Sequence, residues 1–240
     1  MKNIIFLSAD QHHFSAFSSN GNTYCKTPNL DRLKNQSVDF ELSYSASPLC
    51  GPARGSWFSG MMPSENGVTD NIYGDAMRKD YPTLGQWIAE KSNYSNFYAG
   101  KWHVGDAPHM YNIRGFDVIC SGINRNGIIG DASISVACEG LIRNYKKKNP
   151  FYLTISYTQP HDICETIRMN TQILDKPLYG LKEKDLPPIP PISIISIAIQ
   201  GLLNRRDYMK LYACGQKQIG AIIYGATTGM WKWQILKLEE

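Results

Sequence analysis

Short apolar blocks alternate with segments of helical spacing between residues 2 and 162. Apolar or alternating blocks predict strands at 2–9, 38–42, 94–99 and 151–157. Between them, a capping residue or proline followed by periodic apolar positions predicts helices that begin near Thr27, Pro52, Thr83 and Asp131. Strands that alternate with helices favour an α/β fold class, with a mainly parallel or mixed sheet sandwiched by helices.

The pattern beyond residue 175 is less regular. Residues 185–199 are rich first in proline and then in isoleucine and serine, so we interpret them as a surface excursion. Helical spacing returns at 205–224, and 234–238 is typical of a last strand. A chain of 240 residues is long enough to bury a core of its own, and we predict a single domain over 1–240.

Composition and charge exclude several classes of protein. An apolar content of 42% with 19% charged residues excludes a disordered chain, collagen and a coiled coil. The net charge of +4 is small and scattered, which argues against a nucleic-acid partner. The sequence has no export signal, no apolar stretch of membrane-helix length and no C-x-x-C pair among its six cysteines. We therefore predict a reduced, cytoplasmic protein that binds no membrane.

Four polar clusters, at 10–13, 50–54, 101–103 and 159–162, follow predicted strands or begin a predicted helix. Each has an ordinary structural explanation when taken alone: a helix cap, a packed thiol or a hydrogen-bonded histidine. Ligands of an open α/β sheet, however, bind beyond the carboxyl ends of its strands. All four clusters would meet at that edge, which favours a functional site.

The residue types in these clusters indicate an anion site. Cys50 at a helix start places a nucleophile beside free backbone N–H groups, and Arg54 follows one turn later. Asp10 and Gln11 offer the hard oxygen ligands that suit Ca²⁺ or Mg²⁺. Three further side chains can carry positive charge or protons: Lys101, His103 and His161. This combination points to hydrolysis of a sulfate or phosphate ester.

Six short motifs occur in a fixed order over residues 2–162. Residues 50–60 read C-G-P-A-R-G-S-W-F-S-G. The others are A-D-Q after the first strand, T-P-N-L-D-R-L at 27–33, G-K-W-H-V-G at 100–105, G-F-D at 115–117 and P-H-D at 160–162. Together they resemble the type I sulfatase family, the formylglycine-dependent branch of the alkaline phosphatase superfamily. The resemblance implies that family's fold.

The resemblance also implies a mechanism and a role for each matching residue. Cys50 is in the position that is oxidised to formylglycine, whose hydrate attacks sulfur while a divalent metal, usually Ca²⁺, polarises the sulfate. Asp10, Gln11 and the converted Cys50 are in metal-ligand positions, and Arg54 is in the position that steadies formylglycine. Two residues match the sulfate-binding and diol-handling pair, Lys101 and His103. His161 matches the proton donor near the leaving oxygen.

The sequence also departs from the family pattern. Sulfatases are much longer, and after a Q-I-G helix and a T-G loop they have a D-H-G or D-N-G motif that supplies two further metal ligands. Residues 218–220 and 228–229 match that helix end and loop, but neither motif follows. We therefore expect an N-terminal sulfatase catalytic domain that is incomplete at its C-terminal end and impaired in activity.

The sequence is consistent with three hypotheses about function. The first is a sulfuric ester hydrolase acting on a sulfated small molecule or carbohydrate, matured by a formylglycine-generating enzyme. The second is an inactive fragment or pseudoenzyme. The third is a phosphonate or phosphodiester hydrolase of the same superfamily, because some of those enzymes share the cysteine motif and the A-D-Q start.

Overall fold

The computed structural model describes residues 2–71, 77–105, 112–122 and 127–162. The strands are β1 (Ile4–Asp10), β2 (Ser95–Gly100), β3 (Asp117–Ser121) and β4 (Phe151–Pro160). The helices are α1 (Pro28–Lys34), α2 (Cys50–Ser59), α3 (Pro63–Asn66), α4 (Leu84–Lys91) and α5 (Gly127–Asn144). The elements predicted at 185–199, 205–224 and 234–238 lie outside the described residues.

The strands form one sheet in the order β1-β4-β2-β3, and every pair is parallel. The register joins Ile5 to Leu153 and Phe97 to Leu153, so β4 lies between β1 and β2. Parallel neighbours need crossover connections, which the helices between them supply. The predicted α/β class is therefore confirmed, with a parallel sheet flanked by helices.

Side chains of β2 and β4 alternate between two apolar clusters, one on each face of the sheet. Tyr98 and Tyr152 join Phe58 of α2 on one face, where Leu84 and Ile88 of α4 also pack. On the other face, a second set packs against α5: Phe97, Ala99, Phe151, Leu153 and Ile155. Because both faces are covered, β4 is buried along residues 151–156.

The contacts divide the chain into two compact units, and the sheet belongs to the first, which holds residues 1–12 and 44–167. The second unit includes residues 13–43, where α1 begins after Thr27 with Pro28 in its first turn. Thr27 donates a hydrogen bond to the carboxylate of Asp31, which also accepts from Ser18 and Ser19. The expectation of one domain over 1–240 stays a prediction.

The prediction of a strand at residues 38–42 is wrong. Residues 38–40 have no regular secondary structure, and Val38, Phe40 and Leu42 are 79%, 75% and 66% exposed. An alternating pattern needs a neighbouring strand to bond with, and none of the described strands pairs with this segment.

Two predicted helix starts are displaced in the structure. The second predicted helix begins at Cys50 rather than Pro52, so the cysteine lies in the first turn of α2. Helix α5 begins at Gly127, and Asp131 lies inside it instead of capping it. The Asp131 carboxylate accepts hydrogen bonds from the backbone N–H groups of Thr158 and Gln159, which tie α5 to the end of β4.

Among the described residues, no helix is both long enough and apolar enough to cross a membrane. The cytoplasmic location stays a prediction.

Candidate active site

Cys50 is the first residue of α2. The start of this helix is capped by a side chain that lies further along the chain. The Gly51 N–H donates to the side-chain oxygen of Asn71 at 2.8 Å. A Cβ atom at Gly51 would lie 2.9 Å from that oxygen and 3.2 Å from the backbone oxygen of His103. Glycine therefore allows this close approach beside Cys50, where a larger residue would require a shift of Asn71 or of the His103 backbone.

Asp10 ends β1, and Gln11 follows it with a φ of 66°. A positive φ is uncommon for a residue other than glycine, and here it turns the chain sharply just after the carboxylate. The β1–β4 register also shifts between Ser8 and Asp10. Both irregularities set the position of Asp10 at the carboxyl edge of the sheet.

Arg54 lies on α2 one turn after Cys50, with a side chain that is only 2% exposed. Its Nη1 donates to the backbone oxygen of Lys101 at 2.6 Å and to Oγ of Ser156 at 2.7 Å. Its Nη2 lies 3.5 Å from Oδ2 of Asp10. The guanidinium therefore joins α2 to the ends of β1, β2 and β4.

Lys101 follows β2 through Gly100, whose φ is 105°. The Lys101 backbone is fixed on both sides, because its N–H donates to the Ser156 oxygen at 2.8 Å and its own oxygen accepts from the Tyr98 hydroxyl at 2.7 Å. Its ammonium group donates a hydrogen bond to Oδ2 of Asp10. His103, two residues later, has a φ of 56°.

His161 lies in a turn after β4, where its N–H donates to the Thr158 oxygen at 3.0 Å. The next residue, Asp162, accepts from the backbone N–H of Ile128 at 3.0 Å and from Nε2 of Gln159 at 2.9 Å. Asp131 of α5 and Asp162 thus hold the turn that carries His161.

Charge and burial oppose each other at Asp10 and Cys50. Burial alone would raise the pKa of the Asp10 carboxyl, but the charges of Arg54 and Lys101 outweigh it and hold that pKa below its usual value. Burial and the neighbouring Asp10 charge raise the pKa of the Cys50 thiol, although Lys101 and Arg54 oppose them. At neutral pH the site therefore holds an ionised carboxylate and a protonated thiol.

The two site histidines are neutral at neutral pH. Burial, reinforced by the charges of Lys101 and Arg54, lowers the pKa of His103 to about 4. Burial and Lys101 also lower the pKa of His161. Nδ1 of each ring is buried without a hydrogen-bond partner within the described ranges, so each has an unused polar atom for a further ligand.

Three side chains form a group that could hold a metal ion. One potential ligand atom each from Asp10, Cys50 and His161 lies within 4.8 Å of the other two. Sulfur and imidazole nitrogen are poor ligands for Ca²⁺, which prefers oxygen. The Cys50 sulfur, however, stands where an oxygen of formylglycine would be, so that conversion would adapt the group to a hard cation.

The structure thus brings together six of the seven residues predicted for the site: Asp10, Cys50, Arg54, Lys101, His103 and His161. Gln11 is the chain neighbour of Asp10, and its place among the metal ligands stays a prediction. Sequence reasoning missed Asn71, Ser156 and Tyr98. Asn71 and Ser156 lie 20 and 102 residues from their partners, and no local pattern signals such contacts.

A known protein family matches most of this sequence. The profile of the sulfatase family matches residues 2–172. The chain belongs to the sulfatase family. The resemblance inferred from the six motifs is therefore confirmed, and the matched part of the chain contains every residue of the candidate site.

Individual sulfatases align with about half of the chain. An N-acetylglucosamine-6-O-sulfatase of Bacteroides thetaiotaomicron is 34% identical over 127 residues, which cover 52% of this chain and 21% of that protein. An N-acetylgalactosamine-6-sulfatase of Mus musculus is 32% identical over 126 residues, or 48% of this chain and 24% of that protein. The chain thus matches about a quarter or less of the length of these relatives.

Solved sulfatase structures share the fold. A 2-O GAG sulfatase superposes with a TM-score of 0.62 at 25% identity, covering 79% of this chain and 41% of that chain. This structural similarity supports the alkaline-phosphatase-like fold that the resemblance implied.

Proposed function

We propose that this chain carries the catalytic centre of a sulfuric ester hydrolase, within a single domain that comprises residues 1–240. The observation that carries the proposal is the grouping of Asp10, Cys50 and His161 within 4.8 Å, beside two buried cations, in a chain of the sulfatase family. A nucleophile position, a carboxylate and cationic groups at one sheet edge suit the binding and cleavage of an anionic ester.

Cys50 is proposed to react after conversion to formylglycine by a sulfatase-maturing enzyme. The raised pKa keeps the thiol protonated at neutral pH, which disfavours the direct use of sulfur as the nucleophile. When present, formylglycine supplies a hydrated aldehyde oxygen as nucleophile and allows the sulfate to be released afterwards. Arg54, fixed through Nη1, holds its Nη2 toward the carboxylate next to this position.

A divalent cation, which we propose to be Ca²⁺, fits the donor set once Cys50 carries oxygen. The lowered pKa of Asp10 keeps its carboxylate available as a ligand, and Gln11 is proposed to supply an amide oxygen. When bound, the cation would polarise the sulfate and lower the pKa of the nucleophilic hydroxyl.

His103 and His161 are proposed to transfer protons in opposite directions, His103 as an acceptor and His161 as a donor. A neutral His103, with a pKa of about 4, can accept a proton from the formylglycine hydrate. His161 is proposed to donate a proton to the leaving oxygen. Its pKa is lowered mainly by burial, and the approach of an anionic ester would raise it again toward the range a donor needs.

The proposed substrate is a sulfated carbohydrate. This inference rests on the relatives, whose names specify 6-sulfated amino sugars, and on the cationic side chains of Arg54 and Lys101, which suit a sulfate group.

The proposal is tested by producing the chain together with a formylglycine-generating enzyme. Mass spectrometry of the Cys50 peptide is expected to detect formylglycine, and the matured protein with Ca²⁺ is expected to release sulfate from aryl sulfates and sulfated amino sugars, more slowly than a full-length sulfatase does. Cys50→Ala is the matched control, with neither modification nor turnover. An unmodified Cys50, absence of turnover, or preferential hydrolysis of phosphodiesters would contradict the proposal.

A further inference from the structure

One carboxylate faces two buried cations at this site. Oδ2 of Asp10 accepts a hydrogen bond from the Lys101 ammonium and lies 3.5 Å from Nη2 of Arg54. The side chains of both cations are 2% exposed and that of Asp10 is 11% exposed, so water screens these charges little. The three groups together carry one net positive charge, which repels any further cation.

The same carboxylate belongs to the candidate metal group with Cys50 and His161. A divalent cation in that group would be held through the Asp10 carboxylate, and the Lys101 ammonium, which donates to Oδ2, competes with it for the same negative charge. A divalent cation bound without an anion would bring the positive charges at the site to four, counting Arg54 and Lys101. The single negative charge of Asp10 would then be their only counter-charge among these groups. Metal binding at this site is therefore unfavourable until Lys101 is displaced or an anion enters.

The backbone of Lys101 is held by hydrogen bonds on both sides of the peptide unit. Its backbone N–H is bonded to Ser156, and its backbone oxygen accepts from both Arg54 and Tyr98. The side chain beyond Cβ is a flexible stem that ends in three donors. The unused Nδ1 atoms of His103 and His161 are further polar groups at the site for which an anion could serve as partner.

We propose that Lys101 and a divalent cation exchange at Asp10, so that the binding of the cation and of an oxyanion is coupled. This inference rests on the proposed function for the identity of the metal site. Without metal, Lys101 neutralises Asp10. When both ligands bind, the ammonium keeps its protons, moves its N–H donors from the carboxylate to the oxyanion, and leaves Asp10 to the cation. By linkage, each ligand then raises the affinity for the other by the same factor.

The test is calorimetric titration of Ca²⁺ into the whole 240-residue chain after maturation by a formylglycine-generating enzyme, in buffers that contain either inorganic sulfate or chloride at equal ionic strength. Free calcium is measured with a calcium-selective electrode, because sulfate pairs with calcium in solution. In wild type, sulfate is expected to raise Ca²⁺ affinity about tenfold. Lys101→Met is expected to bind Ca²⁺ about tenfold more tightly than wild type in chloride, with little further gain from sulfate.

Lys91→Met is the matched control, because it removes an exposed lysine paired with Glu90 on α4. It is expected to leave both affinities unchanged. A wild type that binds Ca²⁺ equally well in sulfate and chloride overturns the proposal, whether or not Lys101→Met folds. A folded Lys101→Met protein with unchanged or weaker Ca²⁺ affinity also overturns it.

The outcomes separate this proposal from the proposed function. If Ca²⁺ binds and matured protein releases sulfate, but neither sulfate nor Lys101→Met alters Ca²⁺ affinity, the exchange is overturned and the hydrolase assignment stands. If no Ca²⁺ binds to wild type or to Lys101→Met, both are overturned.

Discussion

At the scale of single residues, Arg54 depends on partners that the signature motif does not contain. The motif predicted a role for Arg54, yet the guanidinium is positioned by Ser156, which lies on β4. Ser156 is completely buried and sits 102 residues further along the chain. Local spacing cannot reveal such a contact, because the two residues meet only after β4 has inserted between β1 and β2.

Replacing Ser156 by alanine tests how much this contact contributes to the free energy of unfolding. The substitution leaves a buried, charged donor of Arg54 without one of its acceptors, so we expect the free energy of unfolding to fall by about 1.5–3 kcal/mol. Urea denaturation measures the change. Ser45→Ala removes an exposed hydroxyl and is expected to change stability by less than about 0.5 kcal/mol. Equal effects of the two substitutions would mean that the Arg54 contact contributes little.

Backbone conformation is a second property that the sequence did not reveal at single residues. Gln11 and His103 both have a positive φ, and both follow the end of a strand at the candidate site. For residues other than glycine, such a conformation persists only where the surrounding contacts impose it. The motifs identified both positions, but their geometry depends on the assembled sheet edge.

At the scale of elements, the buried strands and the longer helices were predicted well, because their patterns agree with their surroundings. β4 is buried on both faces along residues 151–156, where aromatic, aliphatic and small hydroxyl side chains suit a buried strand. Residues 38–42 have an alternating pattern but no strand to pair with among those described, and that prediction failed. The sequence predicts Asp131 as a helix cap because aspartate favours caps, but its partners in the structure are the N–H groups of Thr158 and Gln159 near the end of β4.

Two glycines in different elements allow a matched test of strand packing. A Cβ at Gly100 would lie 1.9 Å from the Ser156 oxygen, and the φ of 105° is also unfavourable for alanine. Gly100→Ala should therefore lower the free energy of unfolding by about 3 kcal/mol or more, measured by denaturant titration. At Gly140, in the middle of α5, a Cβ meets nothing within 4 Å.

Gly140→Ala is accordingly expected to stabilise the protein by up to about 1 kcal/mol, because alanine has the higher helix propensity. The prediction is contradicted if Gly100→Ala is tolerated as well as Gly140→Ala. That result would mean that β2 and β4 can separate at their carboxyl ends without loss, and the positions of Lys101 and Arg54 would then need another explanation.

At the scale of the whole molecule, the candidate site exists because parallel strands end at one edge. Residues from four of the motifs, at 9–11, 50–60, 100–105 and 160–162, meet there, and their positions after predicted strands or at a helix start predict the group. The charges inside the group were not predictable, because they depend on burial. The charges of Arg54 and Lys101 outweigh burial and lower the pKa of Asp10, whereas at His103 burial is the main cause of the lowered pKa and the same two charges reinforce it.

Because these groups are buried, we expect acid to lower the free energy of unfolding of the whole fold. The folded chain holds His103 with a pKa of about 4, whereas the unfolded chain protonates it near 6.5, so the unfolded state binds more protons between those values. Stability should therefore fall as the pH falls from about 6.5 to about 4. Asp10 adds a further loss at lower pH, because its stabilising charge disappears as the pH drops through its lowered pKa.

Urea denaturation at a series of pH values, for wild type and His103→Gln, measures the histidine contribution. Because glutamine does not titrate, we expect the His103→Gln variant to lose less unfolding free energy than wild type between pH 7 and pH 4. The expected difference is up to about 3 kcal/mol. Comparing the two losses, rather than the stabilities themselves, removes any packing cost of the substitution at neutral pH. Parallel curves for the two proteins would mean that His103 is protonated as easily in the folded chain as in the unfolded one, and that it does not act as the neutral proton acceptor proposed for this site.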